Sequence, residues 1–158
     1  ARKKSPSKKK RSRSSGMPTT IKVAIACEIA IAAIWVTNIL IGLLSVEGLT
    51  LLPVAISIVF ILVVAGINGG AAFAYAKRVN VVRWIVVVLA SLLSLCGIGC
   101  SIPMLIGASV VAENIPPDAQ EALGNQVFVG IVTLILSALR ISLVVSLVLR
   151  ASSDWFDA

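Results

Sequence analysis

The stretch LTLLPVAISIVFILVVAGINGGAAFAYA, residues 49–76, decides the fold, because it runs its whole length without a charged residue. A helix needs about 20 predominantly apolar residues to cross the hydrocarbon core of a bilayer. Backbone groups in lipid must form their hydrogen bonds within the protein, which favours a helix over a strand here. This segment therefore predicts a transmembrane helix.

Three more apolar segments of similar length predict three further transmembrane helices, at residues 21–44, 81–112 and 127–149. Glu28 lies deep in the first segment and Arg140 deep in the last. The run from Gly97 to Pro103 predicts a kink or local unwinding in the third. We therefore predict an all-α fold, a four-helix transmembrane bundle over residues 21–150 with spans at about 21–44, 49–76, 81–112 and 127–149.

The overall composition agrees with an integral membrane protein and argues against an enzyme. Hydrophobic residues make up 58% of the chain and charged residues 13%, with a mean hydropathy of +1.03. Average globular proteins have about 45–50% and about 25%, respectively. Histidine is absent, and with it the commonest general base and a common metal ligand. The sequence holds no nucleophile elbow, phosphate loop or dinucleotide fingerprint, so we expect no catalysis, no cofactor and no metal.

Most of the basic charge lies in residues 1–20, which are predicted to form a disordered cytoplasmic tail. Such a tail favours contact with anionic lipid headgroups or with an acidic partner. We do not expect nucleic acid as a partner, because any positive-inside signal has the same composition. The basic residues concerned are Arg2, Lys3, Lys4, Lys8, Lys9, Lys10, Arg11 and Arg13.

The basic residues of the loops predict the orientation of the bundle. The N-terminal flank and the connection at 77–83 are basic, whereas the loops at 45–48 and 113–126 carry only acidic charges. This pattern predicts a multi-pass protein of the plasma (inner) membrane with both termini in the cytoplasm, residues 151–158 being a C-terminal tail. Tyr75, Trp84 and Trp155 are then expected to be aromatic anchors at the membrane interface.

The longer acidic loop contains signals for a short surface helix. Asp118 and Glu121 follow two prolines at the spacing of a capping box, and Gly124 with Asn125 predicts the end of the helix. We expect one or two helical turns on the outer surface, serving either as a partner contact or as a simple connector.

Glu28 and Arg140 are predicted to form an intramembrane ion pair between the first and fourth helices, because charges deep in a span are usually paired. Glu28 lies about 9 Å beyond Lys22 and Arg140 about 15 Å before Arg150 along their helices. A leaning arginine side chain spans roughly the remaining 6 Å. The pair is either a structural clip or part of a proton or ion relay. A dry pair favours the clip, whereas a wet cavity holding Glu28 and Asn68 favours the relay.

A stripe of small residues in the second helix predicts close helix packing. Gly66 and Gly70 form a GxxxG motif that Ala74 extends, and Gly69 lies in a parallel row. Small residues four apart let two helix backbones approach closely, either within the chain or against a partner chain or second copy.

Two further features concern polar and thiol side chains inside the spans. Asn38 and Asn68 are polar intramembrane residues, and Asn68 is expected to hydrogen-bond to a neighbouring helix. Cys27, Cys96 and Cys100 are expected to be buried packing residues rather than disulfide or zinc ligands.

Two resemblances bear on function. The C-terminal residues 149–156, a basic residue, serines and an aromatic pair after a fourth helix, resemble the end of many small uncharacterised four-span proteins common in actinobacteria. That resemblance implies the four-span plan and no defined activity. Residues 24–29, around Glu28, look like the glutamate-bearing segment of small multidrug resistance transporters, which implies proton-coupled export. The present chain departs from that family because it is longer, has Arg140 in helix four and lacks an aromatic-rich cavity.

These observations lead to two hypotheses of function. The first is a non-enzymatic accessory, assembly or scaffold subunit that packs against a larger membrane protein complex. The alternative is a small oligomeric transporter or pore, proton-coupled or holin-like, that uses Glu28.

Overall fold

The computed structural model describes residues 16–44, 51–111 and 120–157, which are helical almost throughout. Along the chain come α1 (Thr19–Leu44), α2 (Leu51–Ala76), α3 (Asn80–Val111), α4 (Gln120–Val148) and the short α5 (Arg150–Phe156). Each of α1 to α4 is long and apolar enough to span a bilayer. The predicted all-α architecture with four potential spans is confirmed, and it fits an integral, multi-pass membrane protein.

α4 begins at Gln120, well before the predicted residue 127. Gly124 and Asn125 lie inside this 29-residue helix, so the prediction that they end a separate surface helix is wrong. A helical glycine costs only about 1 kcal/mol relative to alanine, and a long helix tolerates that. Asp118 and the two prolines before it lie outside the described residues.

α3 continues as a helix through Pro103 to Val111, a length of about 48 Å at 1.5 Å per residue. The local unwinding predicted for residues 97–103 is therefore absent. Proline removes one backbone hydrogen bond, and transmembrane helices tolerate this where neighbouring groups satisfy the freed carbonyl.

The interface between α3 and α4 is the most extensive in the bundle, and small side chains line it. A Cβ atom at Gly97 would overlap the hydroxyl oxygen of Ser137, and one at Gly130 would lie 2.9 Å from Cδ2 of Leu105. The buried small residues that α3 contributes are Ala90, Ser94, Ser101 and Ala108. Close backbone approach through small residues therefore holds this pair together, as is common in membranes.

The buried core lies toward the end of the bundle that holds the start of α1, the α2–α3 turn and α5, here named the terminal end. Its members come from all five helices and include Ile21, Ala24, Ala71, Tyr75, Ala90, Leu143, Leu147 and Phe156. α1 packs against α2 and α4, whereas α2 makes far less contact with α3. The buried residues of α2 are Ala71, Ala74 and Tyr75, all within its last six positions.

A left-handed residue, Arg78 (φ 62°), ends α2 and turns the chain into α3. The N–H of Arg78 donates to the carbonyl of Tyr75 (3.2 Å) and that of Val79 to the carbonyl of Ala74 (3.0 Å). This hydrogen-bond pair is the Schellman arrangement, in which glycine is the usual left-handed residue. The guanidinium of Arg78 lies 4.0 Å from the centre of the Trp155 ring, which compensates part of the backbone cost.

Candidate functional site

A cavity of about 190 Å³ lies between the four long helices and contains most of the polar groups predicted to matter. Its polar wall consists of Glu28 from α1, Asn68 from α2 and Arg140 from α4, and Trp35 lies beside them. The rest of the lining is aliphatic, from residues of all four long helices. The structure thus brings together the three intramembrane polar residues that the sequence analysis considered for one site.

The direct partner of Glu28 is Tyr75, which the sequence analysis did not connect with it. The Tyr75 hydroxyl donates a 2.8 Å hydrogen bond to Oε1 of Glu28, and both side chains are buried. The expectation that Tyr75 is an aromatic anchor at the membrane interface is therefore wrong, because the side chain is fully buried within the protein. One signal was available: this is the chain's single tyrosine, and a buried phenol needs a hydrogen-bond partner.

Arg140 lies near enough to Glu28 to interact electrostatically, and both line the cavity. In the part of the chain that the structure describes, the hydrogen bond to the carboxylate comes from Tyr75, and Arg140 makes no direct ion pair. The two charges therefore share one space inside the bundle with room between them. A closed Glu28–Arg140 clip stays a prediction.

Asn38 and Asn68 both bond within their own helices. Nδ2 of Asn38 donates to the carbonyl of Ile34 and Nδ2 of Asn68 to that of Val64, each at 2.8 Å. The expected bond from Asn68 to a neighbouring helix is therefore wrong. The carbonyl one turn back on the same helix satisfies the amide, which faces the cavity rather than a packed neighbour.

The glycines of α2 face away from the rest of the chain. A Cβ atom added at Gly66, Gly69 or Gly70 would meet nothing within 4 Å, and all three residues are exposed. Ala74, the last member of the predicted stripe, is buried at the terminal end. The stripe thus packs within the chain only at Ala74, and its glycine portion has no neighbour among the described residues.

Arg83 is buried as well, although its position in a basic loop predicted only the orientation of the bundle. Its side chain is 2% exposed. Nε donates to the carbonyl of Leu147 (2.8 Å), and Nη2 donates to Oγ of Ser153 (3.1 Å). The last carbonyls of a helix lack backbone partners, so Arg83 satisfies the end of α4 and holds α5 at once.

α5 is docked on the bundle rather than extending as a loose tail. Nε1 of Trp155 donates to the carbonyl of Tyr75 (3.1 Å), and the ring of Phe156 packs edge-on against the Tyr75 ring. The Ser152 hydroxyl is fully buried and lies within hydrogen-bond distance of Thr20 Oγ1 and the Ser146 carbonyl. Tyr75 therefore contacts α5 on one side and Glu28 on the other.

Other predicted residues have mixed outcomes. Cys27 is buried, but Cys96 and Cys100 are exposed on α3, so the expectation of burial is wrong for those two. In a membrane the outward face of a helix is apolar as well, so an apolar context does not imply burial.

In the described ranges no three His, Cys, Asp or Glu side chains cluster as metal ligands. The eight basic residues of the tail lie outside those ranges.

Comparison with known proteins yields no relative: no protein-family model, no curated protein and no solved structure matches this chain.

Proposed function

We propose that this chain is a non-enzymatic accessory or scaffold subunit that packs through α2 against another integral membrane protein. The observation that carries the proposal is the open face of α2 formed by Gly66, Gly69 and Gly70, where an added side chain would meet nothing. Residues of α2 before Ala71 are all outside the buried core. A helix so poorly covered by its own chain has most of its surface left for a partner.

The chemistry of this face favours a protein helix over lipid as its cover. Lipid tails are as apolar as leucine, so large aliphatic side chains suit a lipid-facing surface well. Glycines instead let a second backbone approach closely, and membrane helix interfaces are enriched in them for this reason. In this proposal both termini are cytoplasmic, and the basic residues 1–20 contact anionic lipid or an acidic surface of the partner.

Native mass spectrometry of the protein released gently from its own membrane tests this proposal. We expect a stoichiometric complex with a different membrane protein, which disappears when Gly66 and Gly70 are both replaced by leucine. The matched control is Gly107→Leu, since a Cβ at Gly107 on α3 also meets nothing. A wild-type protein that is found only as a monomer would overturn the proposal.

A second candidate, a small oligomeric transporter, is favoured by the cavity that holds Glu28, Asn68 and Arg140. Its test is flux through proteoliposomes that contain the purified chain alone. Flux that is abolished by Glu28→Gln, with the protein present as a homo-oligomer, would support this candidate over the accessory subunit.

A further inference from the structure

The exposed side chains of the cavity wall lie on α2 and α3, so the cavity opens sideways between these two helices. Most of its wall is covered, but Ile67 on α2 and Leu89 and Leu93 on α3 are 68%, 53% and 51% exposed. Each of these three lies about 13 to 20 Å along its helix from the α2–α3 turn. The opening is therefore within the spans, and a molecule dissolved in the membrane reaches it without crossing water.

The polar wall of the cavity has unused hydrogen-bonding capacity. Tyr75 occupies Oε1 of Glu28, while Oε2 accepts no bond from the described residues. Arg140 carries five N–H donors, yet the described part of the chain supplies no acceptor for them. Polar groups at membrane depth need partners, because each unsatisfied one costs free energy. An occupant of the cavity can supply a donor to Glu28 and an acceptor to Arg140 together.

We propose that this cavity binds a small, uncharged, membrane-soluble molecule that carries a hydroxyl group on an apolar body. A hydroxyl has one donor and two acceptor lone pairs, so it can bridge the carboxylate and the guanidinium. The negative charge of the carboxylate and the positive charge of the guanidinium cancel, so a charged ligand would leave a net charge in a buried site. The aliphatic wall and Trp35 suit the apolar body.

The volume sets the size of the ligand. A dry protein cavity of about 150 Å³ accommodates benzene, so about 190 Å³ admits one substituted aromatic ring or a short branched alcohol. This inference is independent of the accessory role, since it concerns the interior of the bundle rather than the outer face of α2.

The test uses 4-fluorobenzyl alcohol and 4-fluorotoluene as probes of the full chain in lipid nanodiscs, observed by ¹⁹F NMR. We expect a saturable bound signal for the alcohol, displaced by unlabelled benzyl alcohol, with an affinity at least about tenfold above that of the toluene. Benzoate and benzylammonium are expected not to displace it.

Two variants locate the binding. Leu93→Trp fills the mouth of the cavity and should abolish the bound signal, whereas Leu92→Trp is the matched control, exposed on the same helix but outside the lining. Arg140→Met should remove the preference for the alcohol over the toluene. Equal binding of both probes to the wild type, or a bound signal that survives Leu93→Trp, would overturn the proposal even if Arg140→Met does not fold.

Discussion

At the residue scale, Tyr75 joins the membrane interior to the terminal end of the bundle. Its hydroxyl donates to Glu28, and its backbone carbonyl accepts from Trp155. A carboxyl group buried in a transmembrane segment is costly unless it is hydrogen-bonded. Tyr75 donates that bond to Glu28, which the aliphatic side chains of the cavity wall cannot do.

The first prediction concerns that hydrogen bond. Tyr75→Phe should lower the free energy of unfolding by about 1.5 to 3 kcal/mol, the usual range for a hydrogen bond to a charged group. The measurement is reversible unfolding in detergent micelles. Glu28→Gln is the companion variant: its amide oxygen still accepts from Tyr75, so it should cost less than Glu28→Leu. A Tyr75→Phe protein as stable as the wild type would show that the bond contributes nothing.

The second prediction concerns the left-handed Arg78. Both Arg78→Ala and Arg78→Gly lose the stacking on Trp155. Alanine still pays the free-energy cost of a left-handed backbone conformation, whereas glycine adopts it without that cost. Gly should therefore be more stable than Ala by about 1 kcal/mol at this position. Thermal unfolding of the two variants side by side gives the difference, and the reverse order would contradict the Schellman geometry.

At the element scale, Arg83 and α5 form a closing unit. The chain leaves α4 at Leu149, and side chains satisfy two of the carbonyls freed there: Arg83 bonds that of Leu147, and Ser152 that of Ser146. The break between α4 and α5 thus needs neither glycine nor proline.

We predict that Arg83→Met releases α5. Amide hydrogen exchange over residues 150–157 should become at least about tenfold faster, because Ser153 and the Leu147 carbonyl lose their shared donor. Lys77→Met is the matched control, a basic residue in the α2–α3 turn whose ammonium lies over the ring of Phe73 and does not contact α5. Unchanged exchange in Arg83→Met would mean that the aromatic contacts alone hold α5.

We also predict opposite effects for two glycines of α3. Gly97→Ala forces the buried Ser137 side chain to rotate and should destabilise the bundle by about 1 kcal/mol or more, because its hydrogen bond to Thr133 is lost. Gly99→Ala meets nothing and should be neutral or stabilising by up to about 1 kcal/mol through helix propensity. Unfolding free energies that rank the two the other way would contradict the α3–α4 packing.

At the scale of the whole molecule, the sequence was sufficient for the four helices and insufficient for their neighbours. Length and hydropathy identify a transmembrane helix because the hydrocarbon core favours apolar side chains along the whole segment. They do not reveal which face of a span meets protein, since both faces are apolar. The run at Gly97 therefore predicts a kink where the structure has the α3–α4 interface. The α2 glycines predict close packing but not whether the neighbour lies within the chain or in a partner. A polar side chain inside a transmembrane segment has few explanations, so the sequence points to Glu28, Asn68 and Arg140. Aromatic and basic residues are common near the membrane interface, so nothing in the sequence marks Tyr75 or Arg83 as buried.

The outer surface of the bundle divides into a well-packed half and an open one. α3 and α4 interlock along their lengths, while α2 is held mainly at its last turns and by α1. A partner that packs on Gly66, Gly69 and Gly70 would cover this open half of the bundle.

Site-specific photo-crosslinking in the native membrane tests the accessory role most directly. A benzophenone amino acid replaces Phe73, an aromatic residue 64% exposed one turn beyond Gly69 on the open face of α2, so that the glycines stay intact; in a second variant it replaces Leu95 on α3, which is 71% exposed. We expect one discrete adduct with a different membrane protein from position 73 and only lipid adducts from position 95. Lipid adducts alone from both positions would overturn the accessory role, and an adduct with a second copy of the chain would favour the oligomeric transporter instead.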